Sequence, residues 1–128
     1  MRVAVQSDID ELQELLAAKG TTWQAWEYKL HRGNIIIYSP VTPWDYKTGK
    51  YDRSRQRMGK HLRIVPVAQG PFGLEYMRHT ERWSPIDVCV GDLRAIADFI
   101  TEDPFGICHP LDPPDVDQPR LRRHPSSK

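Results

Sequence analysis

The stretch Ala25-Trp26-Glu27-Tyr28-Lys29-Leu30-His31-Arg32-Gly33-Asn34-Ile35-Ile36-Ile37-Tyr38 decides the fold. Up to Leu30 apolar and polar side chains alternate with period two, as in a strand with one face in a core. From Asn34 to Tyr38 a β-branched run follows, the pattern of a strand covered on both faces. Between them Arg32-Gly33-Asn34 carries the glycine that a tight hairpin needs. Strands joined this closely are antiparallel neighbours, so a sheet begins here.

Towards the N-terminus the period becomes helical. Ile9, Leu12, Leu15 and Leu16 form one apolar stripe over a helix from about Asp8 to Lys19. Ser7 is the expected N-cap, Asp8, Asp10 and Glu11 suit the positive end of the helix dipole, and Gly20 supplies the stop.

Towards the C-terminus, Leu62 to Val67 reads as a third strand, with Pro66 placing it at an edge or marking its end. Phe72 to Met77 is a fourth, with Phe72, Leu74 and Tyr76 on one face. A short fifth, Trp83 to Ile86, follows through His79-Thr80-Glu81-Arg82, and Pro85 limits its pairing. Leu93, Ile96, Ala97 and Ile100 then recur at helical spacing behind the candidate cap Asp92, and Asp103-Pro104 ends that helix. The order helix, strands, helix predicts an α+β fold: an antiparallel sheet of four to five strands with two helices packed on one face.

A chain of 128 residues holds one hydrophobic core, here assigned to residues 1–109. Residues 110–128 contain Pro110, Pro113, Pro114, Pro119 and Pro125 and few apolar side chains, and are expected to be a disordered Pro- and Arg-containing tail. The N-terminus has no signal-peptide pattern. The longest aliphatic run, Ile35 to Ile37, falls far short of the ~20 residues of a membrane span. Cys89 and Cys108 are too few for a disulfide framework and suit a reducing compartment, so a cytoplasmic protein without a membrane partner is expected.

Motifs for chemistry are sparse. Gly70 and Gly73 flank Pro71 without the lysine of a phosphate-binding loop, and no cofactor is expected. Zinc needs two close ligand pairs, and Cys108-His109 is a single one. Adjacent in sequence, these two seldom take the geometry of a nucleophilic dyad, and both cysteines read better as small buried groups. Trp23 and Trp26, three apart, suit a ligand pocket or ordinary packing. No catalytic residue is assigned. His31, His61, His79 and His109 are scattered, and a small histidine-based nuclease or hydrolase requires that some of them share a cleft.

The main functional lead is the connection over residues 40–60, which shows no periodicity. From Asp45 to Arg63 the chain carries Lys47, Lys50, Arg53, Arg55, Arg57, Lys60 and Arg63 against Asp45 and Asp52, within a total net charge of +1. Trp44, Tyr46 and Tyr51 are interleaved. Cations that neutralise phosphates beside rings that stack on bases are the combination used for single-stranded nucleic acid. The same segment also fits a solvated loop whose rings tuck back onto the sheet, or a contact for an acidic protein partner. A non-enzymatic binding module is the reading carried forward, with nucleic acid the favoured ligand.

The run Phe72-Gly73-Leu74-Glu75-Tyr76-Met77-Arg78-His79-Thr80-Glu81-Arg82-Trp83, the helix after it and Asp103-Pro104-Phe105-Gly106 resemble the ending of a small bacterial domain family of unknown function. That family is similar in its strand, turn into a tryptophan, amphipathic helix and Asp-x-x-Gly close. The resemblance covers the C-terminal third of the ordered chain. It implies no activity and no site residues.

Overall fold

The opening hairpin forms as its sequence predicts. β1 (Glu27–His31) and β2 (Asn34–Val41) pair antiparallel from Glu27↔Tyr38 to His31↔Asn34. The two turn residues, Arg32 and Gly33, have φ of 54° and 80°, the left-handed pair that a two-residue hairpin of right-handed twist requires. A side chain at Gly33 would also strike Val3, whose Cβ lies 2.9 Å from where a Cβ would sit. The structure, a computed structural model, describes residues 2–109 apart from Thr21, Thr22 and Gln24. The tail expected over 110–128 lies outside the described residues.

Five strands form the main sheet in the order β1-β2-β5-β6-β7, with β5 (Arg57–Pro66), β6 (Phe72–Met77) and β7 (Trp83–Gly91). Every neighbouring pair is antiparallel. β3 (Trp44–Asp45) and β4 (Lys50–Tyr51) make a separate two-stranded ribbon. The connection predicted to be irregular is therefore structured. Its first residues extend β2, its middle is this ribbon and a 3-10 turn at Arg53–Arg55, and its end begins β5. β5 lies at the sheet centre, so Pro66 marks its end and not an edge.

The first half of β5 hides behind a bulge. Ile37 pairs with Leu62 but Tyr38 pairs with Lys60, leaving His61 as the extra residue. Both His61 and Leu62 are buried, and Lys60 returns to the outer face. β7 is irregular in the same way: Leu74 pairs with Ile86 and Gly73 with Val90, so Asp87, Val88 and Cys89 stand between consecutive partners. This makes β7 longer than the four residues its sequence predicts.

α1 (Gln6–Ala17) and α2 (Leu93–Glu102) pack against each other; α1 also meets β1, and α2 meets β6 and β7. The core between helices and sheet contains Leu12, Leu16, Ile37, Leu62, Ile64, Leu74, Ile96 and Ile100, all essentially inaccessible to solvent. Burial of each such side chain is worth about 1.5–3 kcal/mol before entropy is counted.

Asp92 caps α2 as predicted, accepting from the Ala95 amide at 2.9 Å. At α1 the N-cap is Val5 and not Ser7. Asp8, buried in the first turn, reaches back to accept from the Val5 amide at 2.8 Å, so no cap hydroxyl is needed. Both Asp8 oxygens also receive Arg2 at 2.9 Å. The Arg2 hydrogen bonds hold its carboxyl below the usual range.

Candidate nucleic-acid interface

Asp45 and Asp52 set the local shape of the 44–63 segment. Asp45 accepts from the Lys47 amide at 2.8 Å, and Asp52 accepts from the Ser54 amide at 3.1 Å and from its hydroxyl. These are turn and cap bonds of the kind short acidic side chains make. The two carboxylates are thus engaged with the backbone. Lys47, Lys50, Arg55, Arg57 and Lys60 are exposed, and their side chains have no hydrogen bond or ion pair among the described residues. Arg53 is exposed as well.

The rings divide. Trp44 and Tyr51 face each other across the ribbon, edge to face with centroids 5.0 Å apart, and are half-buried. Tyr46 stands at the ribbon tip, 89% exposed, with its ring 6.4 Å from Trp44. Arg63 differs from the other cations. It reaches Glu75 on the neighbouring strand through Nε and Nη2, and its guanidinium lies 4.8 Å over the Trp83 ring. Its charge is compensated within the sheet.

Past the ribbon, 57–60 runs beyond the end of β6, since pairing of β5 with β6 starts at Leu62↔Tyr76. The gap is a cleft of about 710 Å³ lined by Arg57, Gly59 and Lys60 on one side and by Arg78, His79 and Glu81 of the β6–β7 turn on the other. That turn is closed by Arg78 N–H to Arg82 O at 2.9 Å and Glu81 N–H to Arg78 O at 2.8 Å, with Glu81 at φ 62°. Arg78 was not legible as a site residue in the sequence, and His79 stood out there only as one of the scattered histidines. The sequence places His79 in a turn but carries no signal that β6 stops short of the start of β5.

The histidines do not share this cleft. His79 lines it, whereas His31 closes the β1–β2 hairpin at the opposite end of the sheet. His61 is buried, with Nδ1 3.1 Å from Ser39 Oγ and Nε2 3.1 Å from Ile107 O. Burial lowers its pKa, so the ring is held neutral. His109 Nδ1 lies 2.8 Å from Asp103 Oδ2, at ion-pair distance but without hydrogen-bond geometry.

Asp103 is the hub beneath. It takes a left-handed φ of 47° after α2, and its Oδ1 accepts from the amides of Ile107 and Cys108, each at 2.8 Å. Cys108 is fully buried beside it; burial first, then the neighbouring carboxylate, push the thiol up to about 12. Cys89 is raised to about 11 by burial. Both thiols are protonated at neutral pH and poor nucleophiles. His109 is directed to Asp103, so the sequence neighbours form no dyad.

Trp23 and Trp26 line a smaller cavity of about 190 Å³ between α1 and β1, together with Leu16 and Tyr28. Their rings meet edge to face at 6.2 Å, and Trp26 also meets His61 at 5.3 Å. Neither indole N–H has an acceptor among the described residues. Among the described residues no helix is long and apolar enough to cross a membrane, and no group of three or more His, Cys, Asp or Glu is placed to hold a metal ion. Comparison of the chain with protein-family models, with curated proteins and with solved structures finds no match.

Proposed function

We propose that the protein is a non-enzymatic binding module that contacts single-stranded nucleic acid through the 44–63 segment. The observation that carries this reading is the division of labour within the segment. Its two carboxylates are engaged in local turns, while Lys47, Lys50, Arg55, Arg57 and Lys60 stay exposed beside the open ring of Tyr46. Cations of this kind position a phosphate backbone, and an exposed ring stacks on a base of any sequence. The surface suits affinity without sequence preference.

Salt dependence tests it. With about four phosphates neutralised, affinity for a labelled oligonucleotide should fall with salt along a log–log slope of roughly −0.7 per phosphate, near −3 in total. Fluorescence anisotropy at several salt concentrations measures that slope. An acidic protein partner predicts the contrary outcome, no oligonucleotide binding even at low ionic strength, and that result removes the nucleic-acid reading.

A further inference from the structure

Three basic side chains of this fold meet acids. Arg2 is paired with Asp8, Lys19 with Asp98 and Arg63 with Glu75. The cleft beyond β6 gathers basic side chains that have no such pairing. Arg57, Lys60 and Arg78 line it, and none of the three has an ion pair or side-chain hydrogen bond among the described residues. Glu81 lines it too, yet lies within ion-pair distance of none of them.

Three permanent cations around one concavity repel each other unless an anion joins them. The backbone that carries these side chains is hydrogen-bonded on both sides of the cleft. Arg57 and Lys60 sit on a strand paired to β2, and Arg78 and His79 sit in a turn closed by two main-chain hydrogen bonds. The volume, about 710 Å³, falls in the range of small-ligand sites, and so holds more than a bare ion. Two arginines supply the planar forks that match phosphate oxygens, and a lysine adds a point charge.

We propose that this cleft is a phosphate-binding site, taking a phosphoryl group carried by a nucleotide or by a nucleic-acid strand. The proposal rests on the reading of the 44–63 segment for the source of that phosphate, but not for the site itself. Arg78 is the residue that separates the two, since it lies outside that segment.

Pyrophosphate is the probe. Titrated at low ionic strength into 15N-labelled protein, it should shift the amides of Gly59, Lys60, Arg78 and His79, and leave those of Lys47 and Lys50 in place. By calorimetry Arg78→Ala should weaken pyrophosphate about tenfold, a bidentate arginine contact being lost. Arg94→Ala, on the exposed side of α2, should change nothing. Glu81→Gln, which removes the one carboxylate, should tighten binding two- to threefold, a gain that misfolding cannot mimic.

A 5′-phosphorylated oligonucleotide completes the test. Pyrophosphate binding that Arg78→Ala weakens about tenfold, with no oligonucleotide binding, upholds the cleft and refutes the strand as its ligand. Pyrophosphate binding that Arg78→Ala leaves unchanged, or pyrophosphate shifts confined to the ribbon, overturns the cleft.

Discussion

Two regions of this molecule are rich in ionisable side chains and use them in opposite ways. Around Asp103, a carboxylate, two histidines and a serine are tied to one another or to the backbone of 107–108, with the Cys108 thiol buried among them. Around the ribbon and the cleft, arginines and lysines stand exposed, and most touch no other charged group among the described residues. In a sequence, histidine, cysteine and aspartate attract catalytic readings, yet here they close off the chain after α2. The exposed cations contribute little to holding the fold. A residue type with chemical potential is informative only once its hydrogen bonds are accounted for.

The sharpest way to break the contrast is at its buried side. Asp103→Ala leaves one buried and one part-buried amide without an acceptor and places alanine at a left-handed φ. It should cost about 3–5 kcal/mol in urea melts. Asp103→Asn keeps an acceptor oxygen and tolerates that backbone, so its loss should stay below about 1.5 kcal/mol. Equal losses for both would mean the carboxylate charge, and not the amide bonds, holds the segment.

At the exposed side the same logic predicts loss of binding without loss of stability. Tyr46→Ala should weaken oligonucleotide binding by about 1–3 kcal/mol with almost no change in salt slope, because stacking releases few counterions. Trp44→Ala should disturb the ribbon as well, since that ring packs on Tyr51.

Acid separates the regions next. His61 is neutral in the fold and its pKa there lies below the unfolded value of about 6.5, so as pH drops through that value the unfolded chain takes up the proton first. Stability should therefore decline from about pH 6.5 downwards until the folded pKa is reached, by at most about 1.4 kcal/mol per pH unit for this one proton. Comparing melts at about pH 7.5 and about pH 5.5, His61→Gln should show a smaller decline than the wild type. An identical decline assigns the effect to other groups.

The smallest effect is expected of Arg55→Ala. Exposed and unpaired among the described residues, it should shift stability by less than about 0.5 kcal/mol and the salt slope by less than one unit.

How far the fold was legible follows the regularity of each element. β6 and α2 match their sequence limits because Phe72, Leu74 and Tyr76, and Leu93, Ile96, Ala97 and Ile100, keep one period without interruption. The first half of β5 was not legible, because the bulge at His61 shifts the alternation by one and makes 57–61 look aperiodic. The far half of β7 was lost for the same reason, through Asp87, Val88 and Cys89. Ser7 was a reasonable cap by residue type, but Asp8 serves from inside the first turn. The basic and aromatic character of the candidate site could be read from composition. Its cleft could not, because it depends on β6 being shorter than β5, a relation between strands that no local pattern encodes.

The irregular β7 has a consequence for how copies of this chain behave at high concentration. An outer strand with a straight row of free amides and carbonyls is a template on which another molecule can add its own strand. In β7, Pro85 offers no amide, and the three residues between paired positions throw the strand out of line, with Val88 71% exposed at the bend. That border resists self-assembly. The opposite border, β1, is five residues long and alternates Glu27, Lys29 and His31 along one side. Of the main sheet's two outer strands among the described residues, β1 is therefore the one open to strand addition by another copy, and its charges make salt and pH the controls.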